Sequence, residues 1–427
     1  MPALKLAIVG GGSTYTPELI DGFARLRDTL PIGELTLIDP AEDRLALIAG
    51  LAERIFAKQG HGARISTATS IAAGVDGADA VLVQLRIGGQ AARNSDETWP
   101  LECGCVGQET TGAGGLAKAL RTVPVVLDIA ESIRMANPDA WIIDFTNPVG
   151  IITRALLNAG HRAVGLCNVA IHLQRNFAAH LGVDPELIRL DHVGLNHLTW
   201  ERGVTLLDHP AAATGQEILP KLLTDFGAEI AADLRLPRSI LEQLGVVPSY
   251  YLRYFYQHDV VVEELRTGGS RAAEVAEIER QLLAMYADPT LDHKPELLGK
   301  RGGAFYSEAA VQLLAALLGS SEGVQVVNTR NDGILPFLPD DAVIEVQAQV
   351  NAGTIRALPQ RPIEPLFAGL IAHVTAYEDL ALRAALDGSR ARVFDALLAH
   401  PLVGQLELAD QLTDRLIAHN RAYLSWA

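Results

Sequence analysis

The chain has 427 residues, 49% of them hydrophobic and 20% charged, which suits two or three domains and excludes a disordered tail or a solenoid of charged helices. Acidic residues (51) outnumber basic ones (35), and the net charge of −16 excludes non-specific attraction to nucleic acid phosphates or anionic lipid. An anionic small molecule would therefore need local arginines.

The first third alternates short apolar runs with helical stretches. Strands are expected at Leu4–Val9, Glu34–Ile38, Ala80–Gln84, Trp141–Phe145 and Ala163–Leu166, and helices at Thr16–Arg27 and Ala41–Lys58. Strands that are apolar on both faces and alternate with helices predict a parallel sheet covered on both sides. After about residue 168 the rhythm changes. Ile171–Leu181, Ser239–Leu244, Arg271–Tyr286 and Ser307–Leu318 read as helices, and Val193–Arg202 as strands around an Asn196-His197 turn. Glu364–His400 and Gln405–Ser425 read as amphipathic helices with charged outer faces. The expected fold is α/β: a Rossmann-type, doubly wound parallel sheet over residues 1–168, and a mixed α+β, mainly helical lobe over 169–427. No Gly-, Ser- or Pro-rich linker separates the two, so the site is expected between them. Three cysteines (Cys103, Cys105, Cys167) make no disulfide framework and suit a reducing compartment. The N-terminus lacks a signal-peptide pattern, and no run reaches the roughly 18 apolar residues of a membrane span. A cytoplasmic protein that engages neither membrane nor nucleic acid is expected.

Gly10-Gly11-Gly12-Ser13-Thr14-Tyr15-Thr16-Pro17 follows the first strand and opens a helix. Glycines there let backbone approach a pyrophosphate, and the helix N-terminus supplies free N–H donors. The second strand ends at Asp39, where a carboxylate can accept from an adenosine ribose and would repel the extra phosphate of NADP. Gly10, Gly11, Gly12, Ser13, Thr14 and Asp39 are accordingly the candidate NAD site, although Tyr15 replaces the third glycine of the fingerprint. A glycine-rich turn of some other α/β protein is the plainer alternative.

Further along, Gly107-Gln108-Glu109-Thr110-Thr111-Gly112, Phe145-Thr146-Asn147-Pro148, Gly165-Leu166-Cys167-Asn168, Gly194-Leu195-Asn196-His197-Leu198, Pro248-Ser249-Tyr250-Tyr251-Leu252-Arg253-Tyr254 and Asn328-Thr329-Arg330-Asn331 occur in order. Together with the glycine loop they resemble glycoside hydrolase family 4 over nearly the whole chain, and its 6-phospho-β-glucosidase branch in particular. The family departs from two-carboxylate glycosidase chemistry. The resemblance implies a lactate/malate dehydrogenase-like architecture, NAD, a divalent metal (usually manganese) and assembly as a homodimer or homotetramer.

It also implies a redox route through a phosphorylated β-glucoside such as cellobiose 6-phosphate. NAD takes a hydride from C3, a base removes the acidified C2 proton, the aglycone leaves, water adds and the hydride returns. Cys167 and His197 match the family's metal ligands, and thiolate and imidazole suit such an ion. Read alone, a buried Cys and a lone His are more often structural. Tyr251 matches the C2 base, with Tyr250 as the rival one position away. A phenol needs a nearby cation to act as a base, and the metal or Arg253 could supply it. Asn168 stands where α-acting relatives carry Asp, which favours β linkages and leaves the leaving-group acid open among Asp96, Glu109 and water. Glu109 could orient a metal-bound water or merely cap a helix. Asn147 could hold the cofactor ribose or a sugar hydroxyl, or be a plain turn residue. Arg93 and Arg271 match phosphate-binding arginines, whose forks suit phosphate, although surface arginines are common. His172, His180 and His192 default to structural roles. Competing readings are an NAD-dependent hydroxyacid dehydrogenase of the same fold, a non-catalytic NAD-binding sensor, and another family 4 specificity (α-linked or non-phosphorylated).

Overall fold

The computed structural model describes residues 3–427 except 211, 213, 304 and 320. Six strands, β1 (Leu4–Val9), β2 (Ile32–Ile38), β3 (Arg64–Ala68), β4 (Ala80–Val83), β5 (Trp141–Asp144) and β6 (Ala163–Gly165), run parallel in the order β3-β2-β1-β4-β5-β6. This is the strand order of a doubly wound dinucleotide-binding sheet. Period-2 alternation in β1 explains why both faces are covered. Leu6 and Ile8 enter one apolar core with Leu19, Phe23 and Ile48, whereas Ala7 and Val9 enter another with Leu116, Leu120 and Val123.

The second half contributes β7 (Ile188–Leu195), β8 (Leu198–Leu207), β9 (Gly215–Glu217), β10 (Val247–Pro248), β11 (Gly323–Arg330), β12 (Val343–Asn351) and β13 (Thr354–Ala357). Antiparallel pairing extends the same sheet as β6-β11-β12-β7-β8-β10, so both halves share one 13-stranded sheet. The seam is narrow: Asn328 of β11 pairs with Gly165 of β6. A Cβ at Gly165 would lie 2.2 Å from Thr153 Oγ1 and 2.9 Å from the Asn328 Cβ, so the seam closes only over glycine.

The hairpin expected around Asn196-His197 is present, and the helices expected at Thr16, Ala41, Arg271 and Ser307 form at Thr16–Arg25, Glu42–Gln59, Arg271–Tyr286 and Tyr306–Leu317. Strands β11, β12 and β13 are not among the expected elements. The terminal helices, Pro365–Asp387, Arg390–Ala399 and Leu406–Asn420, pack Phe367, Ile371, Leu397 and Leu412 into the core that covers one face of the first-half sheet. Among the described residues, no helix is long and apolar enough to cross a membrane.

Candidate active site

A cleft of about 1190 Å³ opens where β1, β4 and β5 end, and residues from both halves line it. Its first wall is the glycine loop. The Gly10 and Gly11 N–H groups donate to the Ile38 carbonyl (2.9 Å each), folding the loop back over β2. Gly10 has φ +85°, and a Cβ there would sit 2.3 Å from the Gln84 carbonyl oxygen. Asp39, at the end of β2, accepts from Gly12 N–H (3.1 Å) and Ala41 N–H (2.9 Å), which aims its half-buried carboxylate at the loop. Ser13 and Tyr15 line the cleft. Thr14 departs from the expectation. Its hydroxyl donates to Glu279 (3.0 Å) and accepts from Arg301 Nε (2.9 Å), and the residue is fully buried, so its side chain ties the loop to the second half. Asn147, just beyond β5, lines the cleft with a buried Oδ1 that lacks a protein partner. An acceptor so placed fits a ribose or sugar hydroxyl.

The second wall carries Tyr250, Tyr251 and His197. His197 occupies the hairpin turn with φ +63°, a backbone region costly for a non-glycine residue and concentrated at functional sites. Its ring stacks on Tyr251 with centroids 3.6 Å apart and planes 6° apart. Burial holds the His197 imidazole neutral, its pKa down at about 4, and Nδ1 lies 2.9 Å from the Thr110 hydroxyl. Cys167 is buried at the end of β6, with Asn196 and Tyr306 hydrogen-bonding its sulfur. Burial and the nearby Glu345 charge push the Cys167 thiol far up. Burial, then Cys167 itself, pushes the Tyr251 phenol well above its ordinary value.

The structure therefore brings Cys167, His197 and Tyr251 into one uncharged corner. Such a donor set fits a divalent cation. An anchored Nδ1 leaves the other His197 nitrogen for the ion, and the thiol gives up its proton on binding. Among the described residues no group of three or more His, Cys, Asp or Glu side chains forms a fuller metal cage, so two protein ligands would leave positions for substrate oxygens. Beneath the corner lies a buried network. Glu345 accepts from Asn196 Nδ2 and Asn328 Nδ2 (2.9 Å each), and His192 sits between Glu345 (3.0 Å) and Glu201 (2.6 Å). His192 is thus buried between two carboxylates and does not line the cleft.

Opposite stands a charged wall. Glu109 is buried among Arg86, Lys118 (2.6 Å) and Arg93 (3.2 Å). Burial alone would raise its pKa, but the three cations outweigh burial and hold the carboxyl well below the usual range. Glu109 is ionised and cannot donate a proton. Lys118, desolvated between Glu109 and two arginines, is brought down to about 8. Burial pushes the Asp96 carboxyl up to about 6, but both its oxygens engage Arg121 (3.0 and 2.6 Å) and it does not line the cleft, so it is not placed to protonate a leaving group. Arg93 also meets Glu97 (2.7 Å) and lies within electrostatic reach of Tyr251. Arg253, offered beside the metal as a cation for Tyr251, donates to the Tyr250 hydroxyl (3.2 Å) and pairs with Glu264. Arg271 sits at the half-exposed rim, bonded to the Lys300 carbonyl (2.6 Å) and paired with Glu274. Asn168 occupies the N-cap position of the helix Val169–Leu181 and faces the cleft.

Residues absent from the sequence expectation include Arg86, Lys118, Tyr306 and Glu345. Signals existed for two of them. Arg86 follows the carboxyl end of β4, where open sheets place ligands, and Glu345 is a lone charge inside an apolar strand.

Comparison with known proteins identifies the family. The family 4 glycosyl hydrolase profile matches residues 5–183, and the profile of that family's C-terminal domain matches residues 192–403. The chain is 36% identical over 99% of its length, and 97% of the relative's, to a probable 6-phospho-beta-glucosidase of Bacillus subtilis. It superposes with a TM-score of 0.92 and 32% identity, covering 99% of both chains, on the 6-phospho-beta glucosidase of Thermotoga maritima with NAD and glucose-6-phosphate. A form of that enzyme with manganese, NAD+ and glucose-6-phosphate gives 0.89 and 31%, again over 99% of both chains. The malate dehydrogenase of Plasmodium falciparum shares the fold alone, at a TM-score of 0.51 and 13% identity over 90% of this chain and 99% of that one. The chain belongs to the family 4 glycosyl hydrolases.

Proposed function

We propose that this chain hydrolyses 6-phospho-β-glucosides with NAD and a divalent metal. One observation carries the phosphate: in a chain of net charge −16, seven arginines and one lysine line the cleft against five glutamates. Local cations of this kind focus an anionic substrate that the protein as a whole would repel.

When bound, NAD supplies a hydride acceptor for C3 and the metal, held by Cys167 and His197, a Lewis acid for negative charge developing on the sugar. The remaining work falls to side chains. Tyr251 Oη takes the C2 proton. Burial keeps this phenol protonated in the free protein, and Arg93 is the cation within its reach that favours the phenolate as the site fills. Arg93, with Arg271 at the rim, binds the 6-phosphate. Glu109 holds Arg86, Arg93 and Lys118 in place, and its own ionised state leaves water as the proton source for the departing oxygen. Asn168 and Asn147 orient sugar hydroxyls, and Gly10, Gly11, Gly12, Ser13 and Asp39 cradle the dinucleotide, with Thr14 contributing through the loop it anchors. Residues 1–168 serve as the cofactor lobe and 169–427 as the substrate and subunit-contact lobe of a cytoplasmic homodimer or homotetramer.

Incubation with a chromogenic 6-phospho-β-glucoside tests the reading. Multiple-turnover release that requires both NAD and Mn²⁺, without net NADH, is expected. Stoichiometric NADH accumulation would instead mark a dehydrogenase.

A further inference from the structure

Gln108 and Thr110 flank Glu109 and line the cleft with it, yet neither joins its ion pairs. Glycines set their backbone tightly against its neighbours. A Cβ at Gly107 would lie 1.9 Å from the Glu97 carbonyl oxygen, and one at Gly115 would lie 2.6 Å from the Thr110 carbonyl carbon, which fixes where the two side chains start.

The hydrogen bonds along this stretch have only one consistent direction. The backbone N–H groups of Thr110 and Thr111 both meet the same terminal atom of Gln108, the second at 2.8 Å. A peptide N–H can only donate, so that atom is the amide oxygen, which can only accept. It lies 2.7 Å from the Thr110 hydroxyl, whose single proton must therefore point to it. The hydroxyl oxygen is left as an acceptor toward His197 Nδ1, 2.9 Å away, so Nδ1 carries the proton of the neutral ring. A proton on Nε2 instead would leave either the Gln108–Thr110 or the Thr110–His197 contact as two acceptors facing each other. The plane of the ring is fixed separately: His197 has φ +63°, and its ring stacks on Tyr251 with centroids 3.6 Å apart. Backbone and stacking set the orientation, and the Thr110 hydroxyl sets which nitrogen keeps a lone pair.

We infer that Gln108 and Thr110 are positioning residues acting in series, which hold His197 in its Nδ1–H tautomer so that Nε2 presents a lone pair to a divalent cation before the cation binds. The inference rests on the metal-dependent reading above and adds how the free protein is prepared for the ion. A hydrogen-bond partner on the far side of a ligating imidazole orients ring and tautomer together.

The test uses the full-length chain with ¹⁵N-labelled histidine, with NAD and without metal, at mildly alkaline pH. Long-range ¹H–¹⁵N correlations report which ring nitrogen is protonated, and the His197 signals are identified by their loss in His197→Gln. The unaltered chain is expected to show Nδ1 protonated and Nε2 bare. Thr110→Val keeps the shape of the side chain without its hydroxyl and should bring in the Nε2–H form, and Mn²⁺ affinity measured by calorimetry should fall about 10- to 100-fold, the range for outer-shell partners. Thr110→Ser returns the hydroxyl and should restore both. Gln108→Met, which frees the Thr110 hydroxyl to donate to Nδ1, should shift the ring in the same direction and serves where Thr110→Val does not fold. A ring protonated on Nε2 in the unaltered chain overturns the relay, as does an Nδ1–H ring that both Thr110→Val and Gln108→Met leave unmoved. Lost Mn²⁺ affinity with no change of tautomer does the same, since it would mark a structural defect only. Absence of Mn²⁺ binding by the unaltered chain would instead remove the metal-dependent reading, and this inference with it.

Discussion

The two walls of the cleft solve the problem of burial in opposite ways. On one, Glu109 is surrounded by Arg86, Arg93 and Lys118, so that charges are retained in the interior because each meets an opposite partner. On the other, Cys167, His197 and Tyr251 are equally enclosed but form no ion pair among the described residues, and burial outweighs the nearby charges and drives all three to their neutral forms. The difference teaches where each wall's partner comes from. The charged wall is largely complete within the protein and has cationic capacity left for an anion. The neutral wall is incomplete, a set of donors whose protons leave only when a cation arrives.

The sharpest way to break this comparison is to remove the base from the neutral wall. Tyr251→Phe should lower kcat by about 10²–10⁴, the range for a lost general base, and abolish solvent deuterium incorporation at C2. Tyr250→Phe, on the residue bound to Arg253, should cost less than about tenfold, an order-of-magnitude bound for a group outside proton transfer; the reverse ranking would move the base by one position. Next in size is the support beneath the metal pair. Glu345→Gln removes the charge that orients Asn196 while keeping its shape, and Mn²⁺ affinity measured by calorimetry should weaken about 10- to 100-fold, as for other outer-shell partners. Unchanged affinity would leave Glu345 with a purely structural role.

The same network predicts a pH limb. Burial disfavours charged His192, but Glu201 and Glu345 outweigh it and raise its pKa to about 10. Its contribution to stability is therefore complete below the unfolded value of about 6.5 and is lost as pH rises through about 10. The melting temperature should fall over that window, and His192→Gln should flatten the fall. The smallest effect belongs to the rim. Arg271→Ala, with a half-exposed guanidinium, should raise KM only a few-fold, about 1 kcal/mol or less, with kcat unchanged; a loss of kcat would place Arg271 deeper in the chemistry than its position indicates.

Much of the first half was legible in the sequence because its signals are local. β1, the glycine loop and Asp39 lie within one strand, turn, helix and strand, each announced by apolar runs and glycine. Cys167, His197 and Tyr251 were legible only through motif resemblance, since nothing local distinguishes a catalytic tyrosine in Tyr250-Tyr251-Leu252-Arg253-Tyr254 from one that packs a core. Thr14 shows the limit: it belongs to the loop by sequence, yet its hydroxyl turns to Glu279 and Arg301, 265 and 287 positions away. Arg253 was an alternative to the metal as the cation for Tyr251, but the 3-10 turn at Tyr250–Leu252 delivers it to Tyr250.

By itself the sequence determined the alternating strands and helices of the parallel dinucleotide-binding half and the need for local cations in an acidic chain, because periodicity, glycine placement and net charge are properties of neighbouring residues. Tertiary structure alone decided that the two halves share one sheet through the Asn328–Gly165 seam and that Glu109 is locked among three cations. Each depends on which distant groups are desolvated together, and the cost or gain of burial exists only once the chain has closed around them.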